Sequence, residues 1–226
     1  MIEMEDHYEL ERENMISDSK SAVDNEPIKW FDELYNRADG NSQMIPWAKM
    51  VPNPIMMQWV RDNHIKGKAL IVGCGLGDDA IGLEKLGFEV TAFDISEHCI
   101  KWCKNRFEKS SVKWQVADIL EPPKSWINQF DLVVEIHILQ AIPDGGIRET
   151  AAGNLPRLLN NGGKLLCIGR LDDGEQTIIP PPWPLKKEWL IQSFNQLKLI
   201  QFELFSYPET KEVTRYYASW KKENIN

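Results

Sequence analysis

Three glycines at alternate positions, Gly73, Gly75 and Gly77, follow the apolar run 69–72 and precede a helix-length segment. Glycine is needed where a backbone turns sharply or a ligand lies directly against it, because no Cβ stands in the way. The first turn of the following helix would offer free N–H groups to such a ligand. The segment, which includes Cys74, therefore predicts a binding loop for a nucleotide or nucleoside.

The loop departs from the dinucleotide-binding pattern Gly-x-Gly-x-x-Gly at its last position, which is Asp78, with Asp79 after it. Two carboxylates at a helix start would repel a diphosphate, whereas a cofactor with an ammonium group would tolerate them. The spacing favours a nucleoside joined to an amino acid, with Asp79 as a candidate for holding the amine. A nicotinamide-dependent oxidoreductase is the less favoured alternative.

Two more carboxylates, Asp94 and Asp118, end the next two apolar runs. Asp94 comes 21 positions after Gly73, where an acid can accept hydrogen bonds from both hydroxyls of a ribose. Asp118 can accept a hydrogen bond from an adenine amino group, with Ile95 and Ile119 on either side of the ring. The alternative is that both acids cap the turns after their strands.

The apolar run 130–138 carries Glu135 and His137 two positions apart, hence on one face of a strand. Ligands bind at the carboxyl ends of strands in open α/β sheets. We assign Glu135 to the amino end of the cofactor and His137 to substrate contact or proton acceptance. Arg170, at the end of the fifth run, can pair with an acidic substrate group or with Glu135. A core histidine and a structural salt bridge are the alternatives for His137 and Arg170.

Apolar runs alternate with helix-length segments from residue 68 onward, which is typical of βαβ units. We predict an α/β fold with a Rossmann-like seven-stranded sheet, helices on both faces, and five parallel strands followed by a C-terminal antiparallel hairpin. Residues 208–213 are too few for a parallel crossover between the last two strands. The predicted strands are 68–73, 89–94, 112–117, 130–138, 163–169, 199–207 and 214–221. The predicted helices are 28–37, 53–64, 79–86, 97–107, 146–159 and 186–197.

Composition divides the chain into a disordered acidic tail, residues 1–26, and a single domain, residues 27–226, made of an N-terminal helical lid (27–66) and a Rossmann-like core (67–226). Of the net charge of −8, the tail carries −7, so the body is nearly neutral. Without a basic stripe, it is a poor match for a nucleic-acid backbone.

Three features of the sequence bear on the location of the protein and on its thiols. No apolar run approaches the ~20 residues of a membrane span. The acidic N-terminus also lacks the pattern of a secretion signal. The spacing of Cys99 and Cys103 fits one helix face, with no partner nearby in sequence to complete a metal site. We expect a cytoplasmic protein with reduced thiols, no membrane association and no metal.

These motifs resemble the class I S-adenosylmethionine-dependent methyltransferases over roughly residues 28–222, and within them the thiopurine, thiol and halide methyltransferase-like branch. Residues 74–79 match the Cys-Gly and following Asp of that branch, and residues 86–97 follow the same template, as does the segment with Trp30, Tyr35, Pro46 and Trp47. Many class I enzymes carry an acid two positions before the first glycine. Here that position is the apolar Ile71, as in the branch.

The resemblance implies S-adenosyl-L-methionine as cofactor and methyl transfer to a small-molecule nucleophile, a thiol, amine, hydroxyl or halide. Trp47 and the proline-rich loop 180–184, around Trp183, are expected to close over the site, where aromatic faces can attract a sulfonium. A non-catalytic sensor of the same cofactor is the main alternative. We expect a monomer or a weak dimer.

Overall fold

Within the described residues, seven strands form one mixed sheet, which confirms the predicted fold class. The computed structural model describes residues 2–22, 26, 28–174 and 182–224. The strands are Lys68–Val72 (β1), Glu89–Asp94 (β2), Lys113–Val116 (β3), Phe130–Ile136 (β4), Leu159–Arg170 (β5), Lys198–Tyr207 (β6) and Thr210–Lys221 (β7). Their order is β3-β2-β1-β4-β5-β7-β6, with β1 to β5 parallel and β7 antiparallel between β5 and β6.

Helices cover both faces of the sheet, also as predicted. They are Ile2–Ala22 (α1), Trp30–Ala38 (α2), Pro54–Asp62 (α3), Asp78–Lys85 (α4), Glu97–Arg106 (α5), Gly146–Leu158 (α6) and Lys187–Ser193 (α7). Side chains of α2 to α5 share one apolar core with Val134 and Ile168, and we call this the front face. Side chains of α6 and α7 share a second core with Val133 and Cys167, on the back face.

The expected disordered tail, residues 1–26, is largely helical in the structure, because α1 covers Ile2–Ala22. Met15 and Ile16 pack against the front-face core, and Ser19 is fully buried. The Nζ of Lys20 lies 5.0 Å from the centre of the Trp30 ring on α2. The contacts of helix α1 are thus with the rest of the folded chain. This is why its own polar sequence did not predict a helix. The division into a lid (27–66) and a core (67–226) stays a prediction.

The predicted strand ends differ most around β5 and the last hairpin. Strand β5 begins at Leu159 rather than residue 163, directly where α6 ends. Strand β7 begins at Thr210, so that two residues rather than six separate it from β6. Among the described residues, no helix has the length and the apolar character that crossing a membrane requires.

Candidate active site

The glycine loop connects β1 to α4 at the carboxyl edge of the sheet. Gly73, Gly75 and Gly77 have φ angles of 58°, 50° and 88°, a region that L side chains rarely adopt. A Cβ on Gly73 would lie 2.2 Å from Cδ1 of Ile138, and one on Gly77 would lie 2.6 Å from the ring of Trp114. These two glycines are therefore required by the packing of the protein itself as well as by their backbone angles.

Asp94, at the tip of β2, is held against this loop. Its Oδ2 accepts a hydrogen bond of 3.1 Å from the N–H of Gly75, and its Oδ1 accepts one of 3.1 Å from the N–H of Ser96. The side chain is 7% exposed, and burial raises its pKa to about 6. Each carboxylate oxygen can accept more than one hydrogen bond, so both can still receive a hydroxyl.

Trp47 lies over the loop, close to Gly75. A Cβ on Gly75 would lie 3.9 Å from the Trp47 ring and 3.6 Å from the hydroxyl of Tyr35. The Nε1 of Trp47 donates a hydrogen bond of 2.8 Å to that hydroxyl. The rings of Trp30 and Phe31 pack edge-on against Trp47, which is still 39% exposed. An aromatic surface fixed by α2 thus covers the loop.

Asp118 caps a turn, as the alternative interpretation of the sequence proposed. Its Oδ1 accepts a hydrogen bond of 2.8 Å from the N–H of Leu120, and the residue is half-buried. Ile119 is buried in the back-face core, whereas Ile95, after Asp94, is half-buried. A role of these three residues around an adenine ring stays a prediction.

The two acids at the start of α4 each have a protein partner. The carboxylate of Asp78 forms a two-pronged ion pair of 3.0 Å with the guanidinium of Arg106. The carboxylate of Asp79 accepts a 2.6 Å hydrogen bond from the N–H of Asn53, and burial raises its pKa to about 6. Because Arg106 offsets the charge of Asp78, the start of α4 repels a diphosphate less than the sequence alone suggested.

Glu135 is 1% exposed and lies beneath the turn that follows β4. Its Oε1 accepts hydrogen bonds from the N–H groups of Ile138, at 2.6 Å, and Leu139, at 3.0 Å. Its Oε2 is buried with no hydrogen-bond partner among the described residues, and burial raises the pKa to about 7. These contacts make Glu135 a cap of the turn that carries His137.

His137 follows β4 with a φ of 63°, and its N–H donates to the carbonyl of Ile168 at 3.0 Å. Its Nδ1 lies 2.9 Å from Oε1 of Gln140. The histidine is half-buried and its ring contacts a side chain, whereas the alternative interpretation was a core histidine. Burial, above all, and the charges of Arg170 and Arg215 lower its pKa.

Gln140, which sequence reasoning missed, determines the protonation of this histidine. Its amide is fully buried and pairs with the backbone of Arg170: Nε2 donates to the carbonyl at 2.7 Å, and Oε1 accepts from the N–H at 2.8 Å. A flipped amide would place two donors face to face, so its orientation is fixed by the network. Nδ1 of His137 must then carry the proton, which leaves Nε2 as an acceptor.

Arg170 lies on the front face, because it is two positions from Ile168 of the front-face core. Glu135 is two positions from Val133 of the back-face core, so it lies on the opposite face. The ion pairs among the described residues do not include Arg170. The pair with Glu135, one of the two possibilities considered for Arg170, is therefore not formed. On the neighbouring antiparallel strand β7, Arg215 stands directly opposite Arg170, although no sequence motif marked it.

The expected second cover is the proline-rich loop. Residues 180 and 181 lie outside the described residues. Beyond them, the N–H of Trp183 donates a 2.8 Å hydrogen bond to the carbonyl of Gln140, so this part of the loop is attached to the turn after β4. Its ring lies 6.0 Å from the guanidinium carbon of Arg148.

Three buried thiols surround the carbonyl oxygen of Gly75. Cys99 and Cys103 each donate to it, at 2.9 Å and 3.0 Å, and the sulfur of Cys74 lies 3.7 Å away. All three cysteines are free. The four-residue spacing of Cys99 and Cys103 correctly placed them on one face of α5, but their contact with the loop is decided by how α5 packs.

Comparisons with known proteins match this architecture. The family described as "Methyltransferase domain" matches residues 69–163. A ubiquinone biosynthesis O-methyltransferase from Coxiella burnetii is 30% identical over 155 residues, which cover 65% of this chain and 62% of that protein. A probable thiol methyltransferase 2 from Arabidopsis thaliana is 25% identical over 126 residues, covering 54% of this chain and 55% of that protein. The chain thus spans less than two thirds of the length of these relatives.

Among solved structures, the N-methyltransferase NodS from Bradyrhizobium japonicum, in complex with S-adenosyl-L-homocysteine, superposes with a TM-score of 0.62. It is 20% identical, and the match covers 79% of this chain and 92% of NodS, which shows a shared fold. The chain is therefore similar to methyltransferases in the sequence of residues 69–163 and in its fold. The predicted resemblance to the class I S-adenosylmethionine-dependent methyltransferases is confirmed.

Proposed function

We propose that the protein transfers the methyl group of S-adenosyl-L-methionine to a small-molecule nucleophile. The observation that carries this proposal is the contact between Gly75 and Asp94, 3.1 Å from N–H to carboxylate, at the point where the glycine loop leaves the sheet. It places a loop with glycine at alternate positions, where no Cβ blocks a ligand, beside a carboxylate that can accept ribose hydroxyls, which is the arrangement a nucleoside requires.

The described residues fit this cofactor. The backbone of the glycine loop would lie against the amino acid end, Asp94 would accept the ribose hydroxyls, and Asp118 and its neighbours would contact the adenine. Trp47, 39% exposed above Gly75, would cover the sulfonium side. When bound, S-adenosylmethionine supplies an electrophilic methyl group on a positively charged sulfur and leaves as a neutral thioether.

His137 is the proposed proton acceptor. Its Nδ1 proton points to Gln140, and its lowered pKa keeps the imidazole neutral at pH 7, so Nε2 can accept a proton. In the transfer, the lone pair of the acceptor atom forms the new bond to the methyl carbon while the carbon–sulfur bond breaks and its electrons stay on sulfur. A proton on the acceptor atom then passes to Nε2. An anionic thiolate or halide would need no such step.

In this proposal Glu135 positions the turn after His137, because its Oε1 accepts hydrogen bonds from two N–H groups of that turn. Alignment of the nucleophile with the methyl group is the main requirement, because proximity and orientation alone can lower such a barrier by ~7–11 kcal/mol. The relatives named O- and thiol methyltransferases support a small acceptor, as does the nearly neutral charge of the domain.

Two measurements test the proposal. Isothermal titration calorimetry with S-adenosylhomocysteine and with NAD decides the cofactor: binding of S-adenosylhomocysteine alone is expected, and binding of NAD alone would refute the proposal. Methyl-labelled S-adenosylmethionine incubated with a metabolite extract decides the activity. A labelled product is expected. Tight cofactor binding without product across broad extracts would instead indicate the non-catalytic sensor.

A further inference from the structure

Two arginines stand directly opposite each other at the carboxyl edge of β5. The register of the antiparallel pair places Arg170 against Arg215 of β7. Like charges in directly opposite positions of a sheet destabilise it, so this pairing has a cost that the fold itself does not require. Both side chains lie on the front face, where Arg170 alternates with Ile168 and Arg215 with Tyr217. This is the face that also carries α4 and the lid helices.

Arg215 is fixed in place but retains hydrogen-bonding capacity. It is 7% exposed, and its Nη1 donates to the carbonyls of Val213, at 3.0 Å, and Thr210, at 3.4 Å. Its guanidinium carbon lies 4.9 Å from the centre of the Tyr207 ring. The hydrogen bonds among the described residues involve no other nitrogen of this guanidinium. The edge formed by Nε and Nη2 can therefore take both oxygens of a carboxylate.

The two charges lack a close counter-ion in the described part of the chain. The ion pairs there include neither arginine, although the charge of Glu212 acts on Arg215. An unpaired cation that is buried carries a desolvation cost, and that cost is offset when an anion binds. The site thus has the chemistry of a receptor for an anionic group.

The pair also lies beside the proposed reaction site. The charges of both arginines lower the pKa of His137, which burial lowers most. The pKa of Tyr207 is raised mainly by burial; Arg215 lowers it and Asp79 of α4 raises it. Arg170 is joined to His137 through the buried amide of Gln140. An anion held by the two arginines would thus lie near the proposed proton acceptor.

We propose that the methyl acceptor carries a carboxylate group, which Arg170 and Arg215 bind and thereby position for attack. This inference rests on the proposed function. It assigns to Arg215 a role in substrate recognition, and it narrows the acceptor to an anionic small molecule whose nucleophilic atom lies at the far end from its carboxylate.

The test compares matched acceptors that differ only in charge: 3-mercaptopropionate against its amide, and 3,4-dihydroxybenzoate against its amide. Calorimetry with the S-adenosylhomocysteine-loaded protein measures their affinities, and labelled methyl transfer measures kcat and KM. At least one carboxylate should bind about tenfold or more tightly than its amide. Arg170→Gln and Arg215→Gln should each remove that preference and raise KM more than they lower kcat. Lys101→Gln, which removes one charge from the exposed side of α5, should not change it.

Because Arg215 is buried, its replacement could disturb the fold, so thermal unfolding and S-adenosylhomocysteine affinity show whether each variant is still folded. Arg170→Gln, at a half-buried position, repeats the test at lower risk to the fold. Equal affinities for carboxylates and amides, or no carboxylate binding up to about 10 mM, would overturn the inference. A preference for phosphate- or sulfonate-bearing ligands over both carboxylates would also overturn it. Failure of S-adenosylhomocysteine to bind the wild-type protein would instead overturn the proposed function.

Discussion

The carboxylate of Asp79 on α4 accepts a 2.6 Å hydrogen bond from the main-chain N–H of Asn53, the residue that caps α3. The side chain of Asn53 in turn accepts hydrogen bonds from Ile55 and Met56 in the first turn of α3. The helix that follows the glycine loop is thereby attached to the N-terminal helices that cover it. This relationship couples the position of the cover to the loop, and it involves a buried acid.

Lowering the pH from about 7 to about 5 should stabilise the fold through its buried acids. Asp79, Asp94 and Glu135 have pKa values raised by burial to about 6, 6 and 7. Each binds protons more strongly in the folded chain than in the unfolded one. Their contribution therefore makes the free energy of unfolding fall as the pH rises from about 4 to about 7. Urea unfolding followed by tryptophan fluorescence at several pH values measures it.

Glu135→Gln isolates one of these groups, since the amide oxygen can still accept from Ile138 and Leu139. The variant should gain on the order of 1–3 kcal/mol of stability relative to wild type at pH 7.5, and this gain should vanish near pH 4. Glu97→Gln, on the exposed start of α5, serves as the control. A Glu135→Gln variant with the pH dependence of wild type would contradict the assignment.

Asp94→Ala should weaken binding of S-adenosylhomocysteine about 100-fold or more, because two hydroxyls lose a charged acceptor. The variant also leaves the N–H groups of Gly75 and Ser96 without their acceptor, so a stability loss of roughly 1–3 kcal/mol should accompany it. Calorimetry and thermal unfolding measure the two effects. An unchanged affinity in a folded variant would show that the ribose is elsewhere.

His137→Asn should lower kcat by about 100-fold or more for an acceptor that must lose a proton, and by much less for one that reacts as an anion. Binding of S-adenosylhomocysteine should stay within about twofold of wild type, since this side chain contacts Gln140 rather than the glycine loop. Steady-state kinetics with both kinds of acceptor check the difference. Parallel losses in turnover and in cofactor affinity would assign His137 a structural role.

Tyr35→Phe and Trp47→Ala separate the aromatic cover from its hydrogen bond. Tyr35→Phe removes only the acceptor of the 2.8 Å bond from Trp47 and should weaken cofactor affinity by about fivefold or less. Trp47→Ala removes the ring itself and should weaken affinity by about tenfold or more. Calorimetry with S-adenosylmethionine provides both values. If the two variants behaved alike, the ring would not contact the cofactor.

The sequence by itself determined the sheet, the glycine loop and the position of Asp94, because each is encoded by neighbours along the chain. Apolar runs of strand length, glycines that must adopt positive φ, and an acid at the tip of the next strand are local features. The parallel arrangement then brings Gly75 and Asp94 together, since the carboxyl ends of adjacent parallel strands meet at one edge.

Only the tertiary structure decided the partners of the polar side chains. Gln140 reaches Arg170 across 30 positions, and Arg215 of β7 faces Arg170 of β5, but no periodicity in the sequence marks either contact. Arg170 and Glu135 lie on opposite faces of the sheet. Their spacing in the sequence could not show this, because it depends on the register between β4 and β5. The helix α1 belongs to the same group, since its contacts lie on α2 and the front-face core. Such contacts depend on how elements pack in three dimensions, where residues far apart in sequence compete for the same few buried donors and acceptors.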